Sequence, residues 1–529
     1  MNIQNVFNIN FAGKVEDKKT LNTRPYLAPQ KPDTFECTTT PKTETKQDTV
    51  LGKITKMYNK MIPLKLDPES TKVMEEDKLD TGKVLSLVKD MTTSKTDEVV
   101  LERAEYDGKN NYLLRAKNND DSENIKLLDK NLNVLEQENI KYDYDKKGNA
   151  ISKTVMTHDF RTNTFCETKF DYKKYGYPMM TEATKIRRDS QNRLIRKETY
   201  EMSDVEGMFN VKYEFPNGKV RQISKATKDK NTGAVLIKKD MRSSDMTRTQ
   251  YRYEDDPKGN RIIDYKITSP DGRILMNQSQ TFEVLGKNKF RSSRNDKSYL
   301  MELDNKTKVL TVTDEKKDER HEINLKQLIE GRRTPLIKML KTISGDELIN
   351  LNNSVIGMKE AGDKLDSYCE NVEIDGSDLY ADEDSEQSYM FNFLNVGTDP
   401  FVFLHELGHA TDVGGKPIKV KKDEETGKYK AAMIGSIRDD ENFKKVYAEE
   451  RQNFLKEFPT NERGHINYFI ADEAIKGRPD QGKKETIAET NAILNTYQSV
   501  DLLGSRTQYL QQHFPRTIAY LSEKLVPTK

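Results

Sequence analysis

His405, Glu406 and His409 stand in the stretch FVFLHELGHATD, Phe401 to Asp412, which holds two of the chain's six histidines four residues apart. Residues four apart on an α-helix share a face, so two imidazoles at this spacing project toward one point and can grip a single metal ion. Glu406 sits about 100° round the same helix, where a carboxylate can reach a metal-bound water without ligating the metal. Zinc suits such a pair: it takes nitrogen and oxygen donors, and in catalytic sites three protein ligands leave a fourth position for water. The plainer reading is a pair of core histidines on a buried helix. Its weakness is the scarcity of histidine in this chain, which makes a chance HExxH uncommon.

The flanks say how the pair would be presented. Gly397-Thr398-Asp399-Pro400 supplies an N-cap residue followed by proline at the first helical position, so the quoted stretch begins a helix. Phe401, Val402, Phe403, Leu404 and Leu407 would bury that helix, and Gly408 leaves room for close backbone approach. A third ligand must come from elsewhere. His465 and His513 lie downstream, but neither belongs to a second helical pair. The stretch KKETIAETNAIL offers more, because Glu485 and Glu489 are four apart on a helical pattern with Ile487, Ala488, Ala492 and Ile493 available for packing. One carboxylate can ligate zinc while the other accepts a hydrogen bond from a ligating histidine, fixing its ring and tautomer. Alone, such a pair reads as an exposed acidic face; after an HExxH it reads as the second half of a gluzincin site. A metzincin would need Gly at 412 and His at 415, where this chain has Asp412 and Gly415, so that class is excluded.

With these motifs in hand, the C-terminal part resembles the catalytic domain of anthrax toxin lethal factor and its relatives, the ATLF-like zinc metallopeptidases. The resemblance is carried by His-Glu-Leu-Gly-His-Ala-Thr-Asp at 405–412, by Glu-x-x-Ala-Glu at 485–489, and by the tail FPRTIAYLSEKL at 514–525, which is similar to the family's closing Pro-x-Thr-x-x-aromatic segment. It covers about residues 330–529. The motifs are 485 − 409 = 76 positions apart, which leaves room for an inserted segment around Lys416 to Lys430. The resemblance implies His405, His409 and Glu485 as zinc ligands, Glu406 as general base, and Glu489 and Asp412 as supports of the ligands. One position departs from the family. Seven residues before the ligand Glu, where the family has a Tyr that stabilises the oxyanion, stands Arg478; Tyr468 is the nearest substitute, with His465 and Arg478 as rivals.

Around this site the chain changes character three times. At 529 residues it allows about three or four domains. Residues 1–50, rich in Pro, Thr and Lys, read as a disordered or extended leader, and 51–95 as a linker with short helices. Residues 96–320 are short β-prone runs broken by turn dipeptides, an antiparallel hairpin-repeat sheet with one wet face; Asn217-Gly218 and Asp271-Gly272 suit type I′ turns. Its Tyr-x-Tyr-Asp and Gly-Asn units are loosely similar to the YD repeats of Rhs-type proteins. From 321 to 529 an α+β zincin-type metallopeptidase domain is expected. It opens with a helical period from Leu325 to Ile343, then the strand-and-turn stretch SYCENVEIDGSDLYADED, then a strand SYMFNFLNV on which a protein or peptide substrate could lie as an added β-strand.

Composition removes several alternatives. The net charge of +1 comes from 88 basic and 87 acidic residues, interspersed, so no polyanion-binding patch and no nucleic-acid partner is implied. Cys37, Cys166 and Cys369 are too few and too far apart for a disulfide framework or a thiolate zinc cluster. No apolar run is long enough to span a membrane, and the N-terminus lacks a basic-then-apolar layout. A cytoplasmic location or export by a non-Sec route is therefore expected. The expectation is a zinc endopeptidase acting on a protein substrate, either an exported toxin or effector or a housekeeping peptidase. The competing class is a β-repeat binding or scaffold protein whose HExxH domain is inactive.

Overall fold

A computed structural model of the chain describes residues 66–94, 96–104, 111–174, 176–177, 180–205, 208–324, 343–353, 372–374, 400–413, 418–422, 429–433, 437–457, 467–470, 481–496 and 506–525. The leader at 1–50, the helical period at 325–342 and the strand SYMFNFLNV lie outside the described residues. Eighteen strands, β1 (Thr96–Arg103) through β18 (Glu319–Asn324), form a large antiparallel sheet, and several helices follow in the C-terminal part. By contacts the chain divides into two compact units, Met1–Glu201 with Tyr213–Val220, and Met202–Lys212 with Arg221–Lys529.

In the first unit two amphipathic helices, α1 (Pro68–Glu76) and α2 (Thr81–Met91), each open on an aspartate N-cap, Asp67 and Asp80. Their apolar stripe, Met74, Val84, Leu85, Val88 and Met91, shares a core with Val99, Leu101, Tyr112, Leu114 and Ala116 from β1 and β2 (Tyr112–Asn118). The hairpin turns explain the repeated sequence units. The Asp145 carboxylate accepts the backbone N–H groups of Lys147 and Asn149 at 2.8 and 2.9 Å, and Gly148 takes the left-handed position at φ +83°. Asp256 does the same for Lys258 and Asn260, so an Asp followed by Gly-Asn is one Asx-stabilised turn. The type I′ expectation needs correction. At Asn217-Gly218 and Asp271-Gly272 only the glycines have positive φ, +73° and +88°. Pro216 and Pro270 hold φ near −65° and enlarge the loops, which become type I turns closed by Gly218 N–H to the Phe215 carbonyl at 2.8 Å and Gly272 N–H to the Ser269 carbonyl at 3.0 Å, with glycine as the bulge residue.

In the second unit β10 (Val220–Lys228) to β18 run as a meander, each strand pairing antiparallel with the next. Burial alternates cleanly along β13 (Arg261–Thr268), as a sheet with one covered face requires. Among the described residues α6 (Gln481–Asn495), α7 (Arg506–His513) and α8 (Pro515–Leu525) lie against the sheet, while α3 (Pro400–Val413) packs on α6 and α4 (Glu441–Glu457) on α8; a single turn, α5 (Asn467–Ile470), precedes α6. Ile237, Tyr251, Tyr265, Ile267 and Phe282 of the sheet lie in one core with Leu404, Leu407, Ile487, Leu494, Leu510 and Ile518 of the helices. Full burial of such a side chain stabilises by about 1.5–3 kcal/mol. Polar ties add direction. The last carbonyls of a helix lack internal partners, and those of α6 find them on the sheet: Tyr251 Oη donates to the Thr496 carbonyl at 3.1 Å and Gln278 Nε2 to the Leu494 carbonyl at 3.2 Å. A small mixed sheet joins β19 (Val372–Ile374) parallel to β21 (Tyr429–Met433), which pairs antiparallel with β20 (Ile418–Lys422). β19 falls within the stretch read as strand and turn, and the β20–β21 hairpin overlaps the segment around Lys416 to Lys430, running on to Met433. Among the described residues no helix is long and apolar enough to cross a membrane.

The N-terminus of α8 is capped from another helix. Glu450 of α4, fully buried, accepts the N–H groups of Arg516 and Thr517, each at 2.9 Å. Burial pushes its carboxyl up to about 7 from an ordinary 4.5, against those hydrogen bonds and the Arg516 charge, which favour the ionised form. A carboxyl raised in the folded state binds its proton more tightly there than in the unfolded chain, so its contribution falls as pH rises from about 4.5 to about 7 and is level above. Denaturant titrations across that window should show wild type losing stability relative to Glu450→Gln, by up to about 1.4 kcal/mol per pH unit. Parallel pH curves for the two proteins would refute the assignment.

Candidate metal centre

α3 begins at Pro400 and carries both histidines of the HExxH on one face. Their rings stand edge to face, centroids 5.1 Å apart, and His405 is buried while His409 remains 19% exposed, so the open side of the pair is at His409. α6 crosses this helix closely enough to bring its glutamates to the histidines. The contact is made possible by small residues: a Cβ built at Gly408 would lie 2.6 Å from Ala488 Cα and 3.1 Å from the Ala488 carbonyl oxygen. Asn491 of α6 locks the crossing by donating to the Leu404 carbonyl at 2.9 Å and to Glu347 Oε2 at 3.1 Å.

At this crossing Glu485 Oε2 lies 3.1 Å from His405 Nε2 and 3.6 Å from His409 Nε2. One donor atom from each of His405, His409 and Glu485 lies within 4.8 Å of the other two, a buried group that could hold a metal ion. Glu489, one turn further along α6, meets the other nitrogen of the same ring, His405 Nδ1, at 3.0 Å. Its remaining oxygen, Oε1, accepts from Thr507 Oγ1 of α7 at 2.8 Å. The chemistry of this donor set fits a cation. An ionised carboxylate is an acceptor only, so Glu489 selects the Nδ1–H tautomer and the His405 Nε2 lone pair then faces the Glu485 oxygen. Two lone pairs 3.1 Å apart repel unless a proton or a metal ion lies with them. Without a metal the alternative is protonation of the rings. Burial alone would raise the Glu485 carboxyl; the His409 charge and the hydrogen bonds from both protonated histidines then outweigh it and hold the group well below the usual carboxylate range.

The other expected residues are distributed as follows. Asp412, buried near the end of α3, accepts the N–H groups of Ile437 and Arg438 at 2.8 and 3.1 Å, and its other oxygen lies 3.5 Å from Arg438 Nε. It thereby fastens the helix to the segment leading into α4. Glu406 lies on α3 and Tyr468 on α5, but their side chains fall outside the described residues, as do His465 and Arg478. His513 is packed among the rings of Phe454 and Tyr509, centroids 5.1 and 5.7 Å away, in the core at the end of α7. Two participants carried no motif. Asn491 was signalled only as an amide within an otherwise packing helix face, and Thr507 not at all, since nothing in its own stretch marks it.

Gly408 is the position where sequence and geometry meet most tightly. Gly408→Ala should push α3 and α6 apart, because the added methyl meets backbone rather than a movable side chain. The expected cost is about 1–3 kcal/mol in thermal or denaturant unfolding, accompanied by weaker metal binding as Glu485 is drawn from the histidines. Wild-type stability and affinity in this variant would show that the helices do not cross there. No family model matches the chain, and no curated protein matches it.

Proposed function

We propose that the chain is a zinc-dependent endopeptidase of the gluzincin type, with residues 321–529 as a zincin-type catalytic domain similar to that of the ATLF-like metallopeptidases. The observation that carries this reading is the convergence of one donor atom each from His405, His409 and Glu485 within 4.8 Å, with Glu489 on the Nδ1 of His405. Two imidazoles and one carboxylate are the donor set of catalytic rather than structural zinc sites, which close with four ligands. When bound, zinc lowers the pKa of its water toward about 7 and polarises a carbonyl. The chain's own residues supply the rest. Glu406, next to a ligand in the motif, accepts the proton of the attacking water and hands it to the leaving amine. Tyr468 is the proposed donor to the developing oxyanion, with His465 and Arg478 as rivals. The open side at His409 is where a peptide would enter, and the substrate is a protein segment bound in extended form.

The test is a comparison of cleavage products. Proteins exposed to purified wild type and to Glu406→Gln are analysed for new N-termini. Cuts present only with wild type, and abolished by a chelator, are expected; the proteins cut would also separate an exported effector from a housekeeping peptidase. Identical product sets for the two proteins would refute the enzyme and favour a β-repeat binding protein.

A further inference from the structure

We infer that Thr507 is a positioning residue of the metal centre, and that the strand array acts on the centre through the helix that carries it. The inference rests on reading His405, His409 and Glu485 as metal ligands. Glu489 is wholly buried, and its two oxygens face different partners: Oε2 the Nδ1 of His405 at 3.0 Å, Oε1 the hydroxyl of Thr507 at 2.8 Å. The terminal torsion of a glutamate is broad and roughly two-fold, so hydrogen bonds at both oxygens narrow it. Held at both, the carboxylate keeps one oxygen aimed at Nδ1, and the imidazole keeps the tautomer whose Nε2 lone pair is free for a metal. Thr507 is 3% exposed, so water cannot readily replace its hydroxyl.

The helix bearing Thr507 is itself seated on the sheet. One turn along α7, the Gln511 carbonyl accepts from Thr249 Oγ1 of β12 (Arg248–Asp255) at 3.0 Å, and Gln511 Oε1 accepts from Lys239 Nζ of β11 (Val235–Arg242) at 3.1 Å. Helix α7 thus meets β11 and β12 at Gln511 and the Glu489–His405 pair at Thr507. This assigns part of the hairpin array a task in setting the site.

Zinc affinity, measured by competition with a chromophoric chelator, tests this in Thr507→Val, Thr507→Ala and Thr507→Ser beside Glu485→Ala. The hydroxyl-free variant that keeps the wild-type circular dichroism is the one read. It should bind zinc about 10-fold more weakly, at the low end of the range for outer partners of a metal ligand, and Thr507→Ser should recover wild-type affinity. Nitrogen-15 spectra of the metal-free protein add a signature that a merely structural role would not move: one His405 tautomer in wild type and Thr507→Ser, a mixture without the hydroxyl. Affinity within twofold of wild type together with an unchanged tautomer overturns the inference. If Glu485→Ala also binds as wild type, the metal-centre reading has failed; if Glu485→Ala alone loses zinc, only the role of Thr507 has.

Discussion

Glu406→Gln is expected to retain one zinc per chain and lose at least about 100-fold of its peptide hydrolysis. The amide is nearly isosteric with the carboxylate and stands on α3 between the two histidines in sequence, so neither helix nor ligands need move. What it lacks is basicity. A neutral amide cannot take the water proton, and general-base catalysis of this kind is worth about 10²- to 10⁴-fold. Metal analysis and a peptide-cleavage assay on the same preparation give the two halves of the result. Activity within about tenfold of wild type would remove Glu406 from the role of base; loss of zinc would make it a ligand.

The site was legible in the sequence because the residues that converge there lie in two helices with helical spacing. His405 and His409, like Glu485 and Glu489, are each four apart, and that spacing alone puts each pair on one face. Gly408 and Ala488 were legible too, as small residues in otherwise bulky helices, and they are where the two helices touch. Asp412 illustrates the limit: its place in the motif gave its importance but not its partners, the N–H groups of residues twenty-five and more positions on. Thr507 lay further out of reach. A threonine beneath a glutamate has no local pattern, since the contact is made by the docking of α7 rather than by periodicity.

The same reasoning separates what was readable in the fold from what was not. Alternation and Asp-x-x-Gly-Asn turns announce antiparallel hairpins because both are local, and the sheet of eighteen strands follows from them. Turn type was misjudged where Pro216 and Pro270, one residue upstream of the dipeptides considered, changed the loop length. The sharing of one core by sheet and helices was invisible, because the change of period near residue 320 marks a change of element, not of compact unit. Tyr251 and Gln278 looked like ordinary strand residues; they cap α6, more than two hundred positions away.

Glu485→Ala is expected to lose the metal outright, whereas Glu489→Ala should weaken its binding only about 10- to 100-fold. The two glutamates are one helical turn apart on α6, so spacing alone does not divide their roles. Geometry does. A histidine binds metal through one nitrogen and holds its ring through the other; Glu485 lies with the Nε2 atoms of both histidines, at 3.1 and 3.6 Å, while Glu489 lies with Nδ1 of one. Only the first arrangement has three donors converging. Removing Glu485 leaves two imidazoles, too few to hold zinc; removing Glu489 leaves all three ligands with one ring less well fixed. Acid should act in the same direction, because protons compete for the histidine nitrogens, so the titrations belong at one pH above neutrality. A reversed order of affinities would exchange the two roles. Wild-type affinity in both variants would place the third ligand elsewhere, with His465 the first residue to replace.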